Sequence, residues 1–88
     1  MAMEDRIRGQ LAALSPQFLK VTDDSGRHAG HSGARPGGET HFSLEITSSA
    51  FVGLSRVQRH RLVHQILEVE LNDGIHALSL VLRAPEEP

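Results

Sequence analysis

The chain has 88 residues, a formal net charge of −2 at pH 7 and no cysteine. This length allows one domain with a modest core, and the near-neutral charge argues against a strong nucleic-acid binder, which usually carries a basic excess. Without cysteine the chain can supply neither a disulfide nor a thiolate, and the sequence has no apolar stretch of the ~20 residues that a membrane span needs.

The first half of the chain predicts a helix, two strands and a long loop. Residues 4–14 carry isoleucine and leucine at helical spacing, and residues 18–22 alternate as a short strand. Residues 25–38 contain five glycines, one proline and two histidines, so we expect a long flexible loop rather than a helix or a central strand. Residues 41–47 alternate as a strand that is covered on one side only.

The second half predicts a long helix and a last strand. Ser55 is suited to cap a helix that runs to Leu71. The apolar arc of this helix comprises Leu62, Val63, Ile66, Leu67, Val69 and Leu71. Arg59 and Glu70 also project into the arc. Gly74 is expected to end the helix.

The last strand is predicted at residues 76–83, followed by a frayed acidic tail at residues 84–88. In this strand His76 shares the face of the leucines, so we expect it at the rim of the core. The order αββαβ then predicts one α+β domain, residues 1–88, with two layers. Its three-stranded mixed sheet carries the helices on one face, because a helical connection allows parallel neighbours.

No self-contained catalytic centre is visible, and we expect that the chain is not an enzyme. The sequence lacks GxSxG, P-loop, GxGxxG and HExxH patterns, and no nucleophile is paired with a base. A domain without cysteine or an apolar leader also fits a cytoplasmic protein.

The six histidines are the remaining candidates for chemistry. His28 and His31 lie at i, i+3 in the glycine-rich loop, and neutral imidazole is a common ligand of iron and zinc. Residue type alone leaves open whether these two bind a metal or are solvated. We interpret His41, His60 and His64 as scaffold or helix-flank residues.

A set of short motifs occurs together along the chain. They are Asp24-Ser25 followed by His28, then Glu39-Thr40-His41-Phe42, Phe51-Val52-Gly53, Arg59-His60-Arg61 and His76-Ala77-Leu78. In this order and spacing they resemble the BolA family over nearly the whole chain. The resemblance implies a fold like a class II KH domain.

The resemblance also implies a partner and a cofactor. BolA-like proteins pair with monothiol glutaredoxins and share a 2Fe–2S cluster with them, in cluster delivery or iron-status signalling. The partner and glutathione supply thiolates, and this chain would supply His76 and His28, with His31 as the alternative to His28. The isolated chain is expected to hold no cofactor and to be a monomer or a weak homodimer.

An alternative function implied by the resemblance is that of a DNA-binding transcriptional regulator. It would use Arg56, Arg59, His60 and Arg61 at the start of the long helix. Because Arg59 projects toward the core, only Arg56 and Arg61 are expected to be free for phosphate. Two or three such contacts give weak binding, and the GxxG loop of KH domains is missing.

Overall fold

The computed structural model describes residues 2–24 and 41–88. Its elements in chain order are helix α1 (Met3–Leu11) with a 3₁₀ turn (Ala12–Leu14), strands β1 (Phe18–Asp23) and β2 (His41–Thr47), a 3₁₀ turn (Ser49–Phe51), helices α2 (Arg56–Ile66) and α3 (Glu68–Asp73), and strand β3 (Ala77–Arg83). Within these described ranges, no helix has the length and apolar character needed to cross a bilayer. The loop predicted at residues 25–38 lies outside the described residues.

The sheet is three-stranded and mixed, as the sequence predicts, and the structure places β2 at its centre. Strand β2 pairs with β1 in antiparallel register and with β3 in parallel register. The parallel pair is joined through α2 and α3, because parallel strands need a crossover connection. Strands β1 and β3 form the two edges of the sheet as described.

One face of the sheet carries the core. The alternation in β2 buries Phe42, Leu44 and Ile46 and leaves the residues between them half-buried. Ile7 of α1 and Val63 of α2 are fully buried in the same cluster. The predicted α+β architecture, with its mixed sheet and helices, is therefore confirmed.

Ser55 begins α2 with a capping box. Its hydroxyl accepts a hydrogen bond from the Gln58 N–H at 3.1 Å, and the Gln58 side-chain oxygen accepts one from the Ser55 N–H at 2.8 Å. Just before it, Gly53 adopts φ +80°, a conformation that side chains with a Cβ rarely adopt. The turn at Gly53 and the capping box at Ser55 together fix where α2 begins.

The prediction of one continuous helix from Ser55 to Leu71 is wrong. Leu67, at φ −98° and ψ 17°, separates α2 from α3. Val69, predicted in the apolar arc, is instead 57% exposed. Each helical residue rotates the side-chain direction by about 100°, so Val69 points about 200° away from the buried Leu67 and therefore away from the core.

Two predictions about the last strand and its tail are also wrong. Strand β3 begins at Ala77, and His76 precedes it with an exposed side chain rather than lying at the core rim. The tail is not frayed. Ala84 is buried, and its N–H donates a hydrogen bond to the Glu87 carboxylate at 2.9 Å.

Candidate functional site

Three chain segments meet at one end of the sheet. Asp23, the last residue of β1, lies opposite Phe42, and His41, the first residue of β2, lies opposite Ala77 of β3. The Asp24 N–H donates a hydrogen bond to the His41 carbonyl at 2.8 Å. The residues that flank the 25–40 segment are therefore hydrogen-bonded to each other, and His41 lies beside Ala77, the residue that follows His76.

The backbone before His76 is held by the end of α3. The Gly74 and Ile75 N–H groups both donate to the Glu70 carbonyl, the latter at 3.3 Å, and the Ile75 side chain is buried. His76 comes next and is exposed. Among residues 2–24 and 41–88, its imidazole makes no hydrogen bond or ion pair. The structure thus presents an imidazole on a fixed backbone.

The Glu70 side chain fastens α3 to α1. It is 2% exposed, and its Oε2 accepts hydrogen bonds from Arg6 Nη2 at 3.2 Å and from Gln10 Nε2 at 3.4 Å. Arg6 also donates to Asp73 at 2.6 Å, and this bond is the main reason that its pKa is raised. The sequence placed Glu70 in the apolar arc, but its partners on α1 could not be inferred from helical spacing.

Sequence distance limits how far the loop histidines can lie from this end of the sheet. Neighbouring strands are about 4.8 Å apart, so β1 and β3 are separated by about 10 Å across β2. His28 follows Asp24 by four residues, which span at most about 14 Å, and His31 follows by seven, which span at most about 25 Å. Both tethers are long enough to reach His76. His28 and His31 themselves lie outside the described residues.

A metal site made wholly from the described part of the chain is not found. Residues 2–24 and 41–88 bring no three histidine, cysteine, aspartate or glutamate side chains close enough to hold an ion. His41, at the start of β2, is half-buried, as is His60 on α2, whereas His64 is exposed.

The candidate DNA-binding residues do not form one free surface. Arg56 and Arg61 are exposed and His60 is half-buried, but the Arg59 side chain is only 13% exposed. Its guanidinium donates to the Leu54 carbonyl at 3.0 Å and to the Leu82 carbonyl at 3.3 Å. The expectation that Arg59 faces inward is therefore confirmed, and DNA binding stays a prediction.

Glu87 is a partner of Arg59 that sequence reasoning missed. Its two carboxylate oxygens accept hydrogen bonds from Arg59 Nη1 at 2.7 Å and Nη2 at 2.9 Å. The hydrogen bond from Arg59, helped by the Ala84 N–H, lowers the pKa of Glu87 from 4.5 to about 2. No pattern links a tail glutamate to an arginine 28 residues earlier.

Comparison with known proteins decides the family. The sequence profile described as BolA-like protein matches residues 11–87. The chain belongs to the BolA family. It is 46% identical over 86 residues to human BolA-like protein 1, which covers 97% of this chain and 60% of the relative. It is 49% identical over 87 residues to the Arabidopsis thaliana SufE-like protein 1, chloroplastic/mitochondrial, which covers 93% of this chain and 24% of the relative.

Solved BolA structures share this fold. The BolA domain of SufE1 from Arabidopsis thaliana superposes with a TM-score of 0.83 at 49% identity, covering 96% of this chain and 93% of that one. BolA1 from the same plant gives 0.83 at 45% identity, covering 96% and 94%. The chain thus spans a quarter to three fifths of the two curated relatives above. Since one of them is named for chloroplasts and mitochondria, a cytoplasmic location stays a prediction.

Proposed function

We propose that this BolA-like chain is a partner of a monothiol glutaredoxin and co-ligates a 2Fe–2S cluster through His76 and His28, with His31 as the alternative loop ligand. One observation carries the proposal. An exposed histidine without a side-chain partner among the described residues lies at the end of the sheet where Asp24 and His41, the residues that flank positions 25–40, are hydrogen-bonded to each other. Two ligands far apart in sequence can thereby reach one metal.

The residue types fit such a cluster. Neutral imidazole binds iron, and histidine ligands on one iron of a 2Fe–2S centre raise its reduction potential. The chain has no cysteine, so the thiolates must come from the glutaredoxin and from glutathione. The shared cluster supplies one-electron chemistry or can be handed to a client protein.

The backbone beside His76 is fixed before any partner binds. The preceding residue, Ile75, has a buried side chain, and its N–H donates a hydrogen bond to the Glu70 carbonyl. The Glu70 carboxylate is in turn held to α1 by a hydrogen bond from Arg6. A ligand on such a backbone loses little conformational entropy when it binds, which favours ligation. Cluster delivery or iron-status signalling is the role that we propose for the resulting complex.

Anaerobic mixing tests the proposal. The chain is combined with a monothiol glutaredoxin, glutathione, ferrous iron and sulfide, and the mixture is followed by visible circular dichroism and size-exclusion chromatography. We expect a mixed complex whose spectrum differs from that of the glutaredoxin alone. A spectrum that superposes on that of the glutaredoxin alone, at every ratio of the two proteins, contradicts the proposal.

A further inference from the structure

The Arg59 guanidinium is a prepared binding group rather than a mobile surface charge. It donates to the Leu54 and Leu82 carbonyls, and its central carbon lies 6.0 Å from the centre of the Phe51 ring. These contacts fix the plane of the guanidinium. Nη1, which donates to Leu82, and Nη2 together form the outer edge of the guanidinium, and such a fork matches the two oxygens of a carboxylate.

A carboxylate occupies this outer edge in the structure. Glu87 binds with both oxygens, while its Oε1 also accepts the Ala84 N–H. Glu87 belongs to the short tail after β3, and its side chain is 42% exposed. The tail therefore holds its carboxylate over Arg59 from the solvent side, where another carboxylate could replace it.

A groove continues from this ion pair along β3. It has a volume of about 480 Å³ and lies between the start of α2 and the edge strand, within the usual range for a ligand pocket. Leu54 and Leu80 are its apolar lining, and Arg56 adds a guanidinium beside the imidazole of His60. Arg83, also in the lining, already donates to Glu45 at 2.8 Å.

The edge of β3 offers backbone groups to the same groove. The Arg83 carbonyl accepts the Ser48 N–H at 3.0 Å, on the side of β2. Because backbone groups alternate in direction along a strand, those of Leu80 and Leu82 point to the other side, where the Leu82 carbonyl accepts a hydrogen bond from Arg59. No strand pairs with β3 there among the described residues. An extended peptide can bind such an edge.

We propose that this groove binds an extended acidic segment of a partner protein. A carboxylate side chain of that segment binds the Arg59 guanidinium and displaces Glu87, which occupies it in the free chain. The two-oxygen geometry of Glu87 shows which chemistry Arg59 accepts. The Arg56 guanidinium, the apolar lining and the strand edge of β3 suit an acidic peptide better than a free phosphate. This inference is independent of the cluster ligands.

The decisive variant is Glu87→Gln, which removes the internal carboxylate and keeps the shape of the side chain. Its matched control is Glu86→Gln, an identical charge change at the adjacent exposed residue. The probe is a peptide with the sequence of residues 84–88 and blocked ends, titrated into the full chain and followed by NMR of backbone and arginine N–H groups. In the wild type, the tethered Glu87 carboxylate competes with the peptide for Arg59 at an effective concentration of about millimolar. We therefore expect the peptide to bind Glu87→Gln at least about tenfold more tightly than the wild type or Glu86→Gln.

Further substitutions locate the contact. Adding Arg59→Lys to Glu87→Gln should abolish the gain, because lysine keeps the charge and loses the fork. In the wild type, millimolar peptide should raise the pKa of Glu87 from about 2 toward 4.5 as it leaves Arg59. Equal binding to all variants overturns the proposal. So does inorganic phosphate or duplex DNA that binds Glu87→Gln as tightly as the peptide does.

Discussion

His41 lies directly opposite Ala77 in the parallel register of β2 and β3. The residue that follows the 25–40 segment is thus beside the residue that follows His76, and Asp24, which precedes the segment, is hydrogen-bonded to His41. This relationship is what makes a ligand pair from the loop and from the start of β3 geometrically reasonable.

The shorter tether predicts that His28 contributes more than His31. His28 is four residues from Asp24 and His31 is seven, so His28 has the smaller volume to search and the higher effective concentration at His76. We expect His28→Ala to change the visible circular dichroism of the mixed complex and His31→Ala to leave it nearly unchanged. The reverse result would assign the loop ligand to His31.

Arg6 should matter more for stability than Arg8, although both lie on α1. Arg6→Ala leaves the buried Glu70 carboxylate without its cation, which is costly. Arg8 forms only an exposed i, i+4 pair with Glu4, so Arg8→Ala should cost no more than about 0.5 kcal/mol. Thermal unfolding compares the two variants. Amide exchange at Ile75, whose N–H donates to Glu70, should quicken only for Arg6→Ala.

The contact between Arg59 and Glu87 predicts a defined pH dependence. The pKa of Glu87 falls from 4.5 to about 2 in the folded chain, so its stabilising effect is present above pH 4.5 and is lost as the pH falls toward about 2. At neutral pH the wild type should have a higher melting temperature than Glu87→Gln. This difference in melting temperature should shrink as the pH falls from 4.5 toward about 2. A difference that stays constant down to pH 2 would exclude this carboxylate as its source.

Ser48 is expected to be the most sensitive serine of the fold. It is fully buried, donates to the Leu14 carbonyl at 2.6 Å and accepts the Ala50 N–H at 3.1 Å. Ser48→Ala leaves both groups without that partner and should lower the free energy of unfolding by about 1–3 kcal/mol. Ser79→Ala, at an exposed position on β3, should change it by less than about 0.5 kcal/mol. Urea unfolding measures both.

Local patterns were sufficient for the sheet and for the capping of α2. The alternation at residues 41–47 gives both the bounds of β2 and its buried face, and Ser55 caps α2 as predicted. The break at Leu67 had no such signal, since neither proline nor glycine marks it. Leu67 is fully buried in the core, as the apolar periodicity predicts, but that periodicity carries no sign of a break in the helix.

Long-range contacts account for the other errors. The tail acquires its order from Arg59, and the exposure of His76 follows from where β3 begins to pair with β2. Neither is visible within a few residues of sequence. The choice of His76 and His28 came from the family resemblance, and the structure adds that Asp24 and His41, which flank the 25–40 segment, lie at the same end of the sheet as His76.

The most direct test of the shared-cluster account compares His76→Ala with His64→Ala in the anaerobic complex with a monothiol glutaredoxin. Both histidines are exposed, but of the two only His76 lies at the sheet end that holds Asp24 and His41. We expect visible circular dichroism to show a shifted or weakened cluster spectrum for His76→Ala and a wild-type spectrum for His64→Ala. If the double variant His28→Ala, His76→Ala gave the wild-type spectrum, the ligand assignment would be contradicted.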